Sequence, residues 1–288
     1  MRFCRFQDDR GERLGIVEDH FVADISPVVE MLPSHRWPFP PGDPLVAHLQ
    51  LIREHAPRLL DAAPRRALSA VRLLSPVANP SKLAAAPVNY LSHLAEAQAD
   101  PATFHAHQLQ RIQEVGLFLK ASSSLAGPGE GVALRHTDRR NDHELELAVV
   151  IGRTADRVSV ERAMDYVAGY AIGLDMTVRG PQERSLRKSI DSYSVLGPWL
   201  VTADEIADPA NLELELRVNG ELRQRANTRD LVVGIPQLIA WASSYYTLHP
   251  GDVIYTGTPD GVGPVVPGDL IEASIEGIGA MRVPVRAA

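Results

Sequence analysis

The sequence predicts an α+β chain, mostly β, with curved mixed sheets. Three observations carry that expectation. Short apolar runs recur at close intervals between Gly and Pro, helix-period patterns are few, and Asn219-Gly220 is a hairpin signal between two strand-like runs. At 288 residues the chain is long enough for one large domain, or for one of about 200 residues with a smaller appendage. Hydrophobic content of 45% and charged content of 23% are those of an ordinary globular protein.

In chain order, residues 1–25 read as short strands over 1–6, 13–17 and 21–24, with a polar turn at 8–12. Ser26-Pro27 ends that run, and Pro38, Pro40, Pro41 and Pro44 fill the next stretch with turns. A helical period follows over 45–56, apolar at Leu45, Leu49, Ile52 and Ala56, and Pro57 is expected to stop it. Residues 71–80 read as strand or linker, closed by Asn79-Pro80. The expected organisation is a small N-terminal α/β module over 1–75 and a main domain over 76–288. In the main domain, strands are expected over 149–151, 166–174, 200–202, 212–218, 252–256, 269–275 and 279–285. Helices are expected over 101–115, or from near Tyr90, and over 235–246, apolar at Ile235, Leu238, Ile239 and Ala242.

A net charge of −7 argues against nucleic acid as a partner, and the cluster Arg135, His136, Arg139, Arg140 is short and punctuated by acids. Cys4 is the only cysteine, which excludes a disulfide framework and a thiolate zinc site. No apolar run approaches the ~18 residues of a membrane span, and the charged N-terminus does not read as a secretory leader. The expected compartment is the cytoplasm.

The chemistry concentrates in mid-chain. Leu145, Leu147, Val149 and Ile151 point one way from a strand, so Glu144 and Glu146 share the other face, which continues with Ala148 and Val150. Asp175 ends a second strand-like run over 167–174. Carboxylates held together resist ionisation unless a cation offsets them, and a hard cation prefers oxygen ligands, so magnesium is the first expectation. The plainer alternative is the solvated face of a half-buried sheet, with Asp175 an unrelated turn residue. Further on, Gly257, Gly261 and Gly263 surround Thr258-Pro259 in a loop whose backbone can approach a ligand closely. No Gly-Lys-Ser/Thr closes it, so it is not a Walker loop, and a tight strand connection is the alternative. Gly261-Val-Gly263 and Gly277-Ile-Gly279 lack the third glycine and following helix of a dinucleotide site. His93 and Glu96, at i and i+3, share a helix face on which a carboxylate can orient an imidazole; a solvated surface pair is the alternative. His105 and His107 read as surface residues.

Across residues 75 to 285 the chain resembles the fumarylacetoacetate hydrolase family. The resemblance rests on Pro87-Val-Asn-Tyr-Leu-Ser-His-Leu-Ala-Glu96, Phe118-Leu-Lys-Ala-Ser-Ser-Ser124, Glu144-Leu-Glu-Leu-Ala-Val-Val-Ile-Gly-Arg153 and Ala168-Gly-Tyr-Ala-Ile-Gly-Leu-Asp175. It continues through Lys188-Ser-Ile-Asp191, Leu196-Gly-Pro-Trp-Leu-Val-Thr202, Val218-Asn-Gly-Glu221 and Thr247-Leu-His-Pro-Gly-Asp252 with Gly257-Thr-Pro259, all in the family's order.

The resemblance implies a mixed β-sandwich or β-roll catalytic domain, a homodimer, and a metal, usually magnesium, with manganese or calcium as alternatives. Glu144, Glu146 and Asp175 match the family's ligands. His93 and Glu96 match its lid dyad, and Lys188 the lysine beside metal and substrate enolate. Tyr90, Arg179, Gln182 and Thr258 match substrate-contacting positions. The implied activity is metal-dependent C–C hydrolysis of a 2,4-diketo acid, an acylpyruvate, to pyruvate and a carboxylic acid. The alternatives are decarboxylation or isomerisation of a related small keto or dienol acid, or a catalytically silent dimeric scaffold. The chain departs from the family where substrate is expected: Gly180-Pro181 replaces the aspartate that often follows the arginine, and the segment from Gln182 to Lys188 is short and lacks an aromatic residue before the lysine.

Overall fold

The alternation read around Glu146 is that of a central strand. Leu145–Ile151 is buried along its whole length and pairs antiparallel with Val167–Asp175 on one side and Val253–Tyr255 on the other. The structure, a computed structural model, describes residues 1–99 and 112–288. Beyond Val167–Asp175 the sheet runs through Ser194–Thr202 to Arg2–Asp8, Gly11–Glu18, Phe21–Asp24 and Arg65–Ala67. Beyond Val253–Tyr255 it adds Leu83–Ala85 in parallel and then Phe118–Lys120. A second sheet of five strands contains Glu213–Val218, Glu221–Asn227, Leu270–Ile275, Gly279–Ala287 and Val132–Leu134. The chain is α+β, mostly β, as expected.

Each face of the central strand has its own core. Leu145, Leu147, Val149 and Ile151 pack with Leu214, Leu216, Ile271 and Val283 of the second sheet and with Leu238 and Ile239 of the helix Ile235–Tyr245. Ala148 and Val150, on the glutamate face, pack with Leu83, Tyr255, Ala171 and Leu196, and with Ile52 and Ala56 of the helix Leu49–Leu60. Burying side chains of this size stabilises by about 1.5–3 kcal/mol each. Both faces therefore hold the strand rigid up to its glutamate end.

The first 75 residues join this architecture through hydrogen bonds as well as packing. Arg2 and Phe3 register against Val201 and Leu200, so the N-terminal strands extend the main sheet.

Four local details bear on the sequence reading. Pro57 lies inside the helix Leu49–Leu60 and does not end it; Leu59 and Leu60 pack on the core beyond it, which holds a last turn across the missing amide. The expected strand over 200–202 is the end of a longer buried strand, Ser194–Thr202, whose Gly197-Pro198 hides its start in a sequence reading. The helix expected over 101–115 is described as Leu91–Ala99 and Ile112–Val115, and His105 and His107 lie outside the described residues. At the hairpin, Asn219 and Gly220 take φ of 52° and 81°, the left-handed pair that a tight two-residue turn needs.

Candidate metal centre and active-site cavity

Register brings the carboxylates together. Leu145 stands opposite Leu174, and the Asp175 amide donates to the Glu144 carbonyl at 2.9 Å, so the two strands deliver Glu144, Glu146 and Asp175 to one end of the sheet. One ligand oxygen from each lies within 4.8 Å of the others, and all three residues are buried.

The chain's own cations partly offset this charge. Lys188, from the helix Arg184–Lys188, donates to Glu144 Oε2 at 2.6 Å and Asp175 Oδ2 at 2.8 Å. Lys120 pairs with the other carboxylate oxygen of Asp175, Oδ1, and donates to the Tyr193 carbonyl at 2.8 Å. Arg179 donates to Asp142 Oδ2 at 2.6 Å and Glu144 Oε1 at 3.2 Å.

These surroundings split the two glutamates. Burial alone would raise Glu144, but Lys188, Arg179 and His93 outweigh it and hold the group at about 2. Glu146 is pushed well above the usual carboxylate range, first by burial and then by the charges of Asp175 and Glu144. Its Oε2 accepts from the Gly257 amide at 2.6 Å, one of two places where the glycine loop meets the site. A buried, all-oxygen carboxylate triad with a disfavoured negative charge at its centre fits a hard divalent cation.

His93, which lines the cavity, and Glu96 lie on the helix Leu91–Ala99. Glu96 Oε2 lies 3.1 Å from His93 Nδ1, and its Oε1 accepts from the Gly261 amide at 2.9 Å. Gly261 has φ of +84°, and a Cβ there would run into the Arg223 carbonyl, so the contact requires glycine. The glycines expected to approach a ligand thus also secure two of the protein's own carboxylates.

Thr258 lines the cavity and accepts from Gln224 Nε2 at 2.9 Å. Gln224 is buried; its Oε1 accepts from the Leu145 amide at 2.9 Å and faces His143 Nδ1 at 3.2 Å. Burial holds His143 down to about 4, so its ring is neutral at neutral pH.

One cavity brings together His93, Glu144, Glu146, Asp175, Lys188 and Thr258. Arg179 is also on its wall, turned toward Asp142 and Glu144. Two expected substrate contacts lie elsewhere. Gln182 is exposed, its side-chain Oε1 accepting from Arg139 at 2.9 Å. Tyr90 is buried behind the wall, bridged to Leu231, and its hydroxyl has no hydrogen-bond partner among the described residues.

Three residues of the site carry no role in the sequence reading. Lys120 is the single cation in the apolar run Phe118-Leu-Lys120, a signal for a buried charge with an acidic partner. Gln224 is a lone inward polar residue on a hairpin strand, indistinguishable by pattern from a surface position. Arg184 precedes Lys188 by four residues, one helical turn, which places both on one face once the helix is known.

Comparison with known proteins agrees with this geometry. The family described as fumarylacetoacetate (FAA) hydrolase, C-terminal, matches residues 82–286. A maleylpyruvate hydrolase of Aquipseudomonas alcaligenes is 57% identical over 288 residues, 99% of each chain. A mitochondrial oxaloacetate tautomerase of Xenopus laevis is 39% identical, over 75% of this chain and 69% of its own. Among solved structures, maleylpyruvate hydrolase from Sphingobium sp. SYK-6, in complex with manganese(II) and pyruvate, superposes with a TM-score of 0.82 at 42% identity and full coverage of both chains.

Proposed function

The chain belongs to the fumarylacetoacetate hydrolase family, and from that premise we propose that it is a metal-dependent hydrolase cleaving the C–C bond of an acylpyruvate to pyruvate and a carboxylic acid. The observation that carries this reading is the single cavity in which a buried Glu144–Glu146–Asp175 triad faces an imidazole held by its own carboxylate.

Glu144, Glu146 and Asp175 would hold the ion, with magnesium as the resident choice and manganese the ion named with the Sphingobium relative. When bound, a divalent cation supplies positive charge against which the oxygens of a keto acid can sit. The remaining work belongs to side chains. Glu96 accepts from His93 Nδ1–H, which leaves Nε2 as the basic nitrogen. Nε2 takes a proton from water, and the oxygen attacks the distal ketone carbon. The C–C bond between that carbon and the pyruvyl methylene then breaks, its electron pair passing into pyruvate enolate, which takes up a proton to give pyruvate. The ammonium of Lys188, on the triad, stabilises negative charge developing there.

The direction of the Thr258 hydroxyl follows from its neighbours. The Leu145 N–H fixes Gln224 Oε1, and the Pro259 carbonyl, at 3.0 Å, fixes Nε2. Thr258 Oγ1 therefore accepts from Gln224, which leaves its own proton to donate to substrate.

The reading extends to a homodimer in the cytoplasm, consistent with a single buried cysteine; light scattering after gel filtration tests the dimer. Among the described residues no helix is long and apolar enough to cross a membrane. The deciding experiment is NMR product analysis with a short acylpyruvate and with oxaloacetate, with magnesium or manganese and again with chelator. Metal-dependent pyruvate plus the acyl-derived acid is the expected result. Carbon dioxide from oxaloacetate without acylpyruvate cleavage would reassign the site as a decarboxylase.

A further inference from the structure

Among the described residues Val88 is the only β-branched one in the left-handed region, with φ of 45°. A side chain branched at Cβ is disfavoured there, and such strain persists only where the surroundings impose it. Both flanks of Val88 are fixed. On one side Leu83–Ala85 pairs with Val253–Tyr255, and the Ala86 amide donates to the Tyr255 carbonyl at 3.0 Å. On the other, the buried Asn89 side chain donates to the carbonyls of Val233 and Thr256 at 2.9 and 2.8 Å. Its Oδ1 accepts from the Val233 amide at 2.8 Å, and its backbone carbonyl accepts from the Val232 amide at 2.9 Å. The left-handed turn is therefore imposed, yet glycine or asparagine would take it with less strain. What valine adds at this position is an isopropyl group.

Val88 lines the active-site cavity together with Ala86, Pro87 and Phe118, and Ala85 stands opposite Phe118 in the sheet. These four residues are the apolar part of the lining; the rest is charged or polar. His93 follows Val88 by five residues on the same stretch of chain. An acylpyruvate whose pyruvyl oxygens lie at the triad presents its distal ketone to His93, and the carbons of its acyl group then meet the apolar lining. We propose that Val88 is a specificity-determining residue whose isopropyl group bars acyl chains branched at the carbon next to the ketone. The inference rests on the acylpyruvate reading and concerns the shape of the acyl group, whatever lies at its far end. Because the backbone is held at both flanks, the isopropyl group has little room to yield. Added methyls must then shift the ketone away from His93, and a small misplacement is costly to the rate.

The test compares kcat/KM, by pyruvate release, for acetylpyruvate and isobutyrylpyruvate, which differ only by two methyls on that carbon. The wild type should prefer the acetyl compound. In Val88→Gly the isobutyryl-to-acetyl ratio should rise about tenfold to a hundredfold, because the barrier is gone and the turn is kept. Val88→Ala should move the ratio in the same direction by less. Val88→Thr retains the branched shape and should retain the wild-type ratio. A ratio unchanged in both Val88→Gly and Val88→Ala overturns the inference while leaving the hydrolase reading intact. So does a wild type that cleaves the two compounds equally well, or a Val88→Thr ratio that rises as far as that of Val88→Gly. A wild-type protein that cleaves neither compound overturns that reading and this inference with it.

Discussion

Gln224 joins the strand Leu145–Ile151 to the glycine loop, with Oε1 on the Leu145 amide and Nε2 on the Thr258 hydroxyl, each at 2.9 Å. Replacing Gln224 with Leu removes both links, and Thr258→Val removes the hydroxyl that Gln224 orients. Each should lower kcat/KM roughly tenfold, and the double variant should lose little more than the worse single one, because they act as one unit. Gln224→Leu also leaves the buried Leu145 N–H unpaired, a cost of about 1–3 kcal/mol that Thr258→Val does not share. Steady-state kinetics and denaturant titration of the four proteins check both statements, and additive losses in kcat/KM would break the proposed linkage.

Glu96→Gln keeps an oxygen for the Gly261 amide but presents an NH₂ to His93 Nδ1. The imidazole then favours the opposite tautomer, with its proton on the nitrogen that should accept one. We expect kcat to drop by about 10²–10⁴, with little change in thermal midpoint. A variant with full kcat would remove His93 and Glu96 from the reaction.

Lys120 is buried against Asp175, so Lys120→Met leaves a carboxylate among carboxylates with one cation fewer. The metal-free variant should lose about 3–5 kcal/mol of stability. Manganese should restore more of the midpoint to the variant than it adds to the wild type, because the ion takes over the missing neutralisation. Calorimetric scans with and without manganese measure the difference, and equal increments in both proteins would contradict it.

Cys4 is fully buried in the strand Arg2–Asp8, and burial pushes its thiol up to about 12 from 9.0. The native protein should resist alkylation at pH 8, and labelling should follow global unfolding. Between pH 9 and 12 the unfolded thiol is ionised and the folded one is not, so this group's contribution to stability falls as pH rises. Rapid labelling of the native protein would show that the N-terminal strand opens locally.

Much of this was legible in the sequence, for identifiable reasons. The carboxylate cluster was readable because strand alternation is strict and puts Glu144 and Glu146 on one face. His93 and Glu96 were readable because a helical i, i+3 spacing survives without knowledge of the fold. Pairings between distant segments were not. The contact of Lys120 with Asp175 spans 55 residues, that of Gln224 with Thr258 spans 34, and that of Glu96 with Gly261 spans 165. Family order puts Gln182 beside substrate; its side chain is exposed here, with Oε1 accepting from Arg139 across 43 residues of sequence.

The seam between Arg2–Asp8 and Ser194–Thr202 bears on how this protein can be dissected. Ser194–Thr202 also pairs with Val167–Asp175, the strand that presents Asp175. A chain cut at residue 75 would strip Phe3, Leu14, Ile16 and Ile25 from the core they share with Leu196 and Leu200, and would leave the end of an inner strand with bare amides and carbonyls. Such an edge is a template for recruiting other chains. The excised fragment 76–288 should therefore aggregate rather than behave as a minimal enzyme, and engineering of the site is best carried out in the full-length chain.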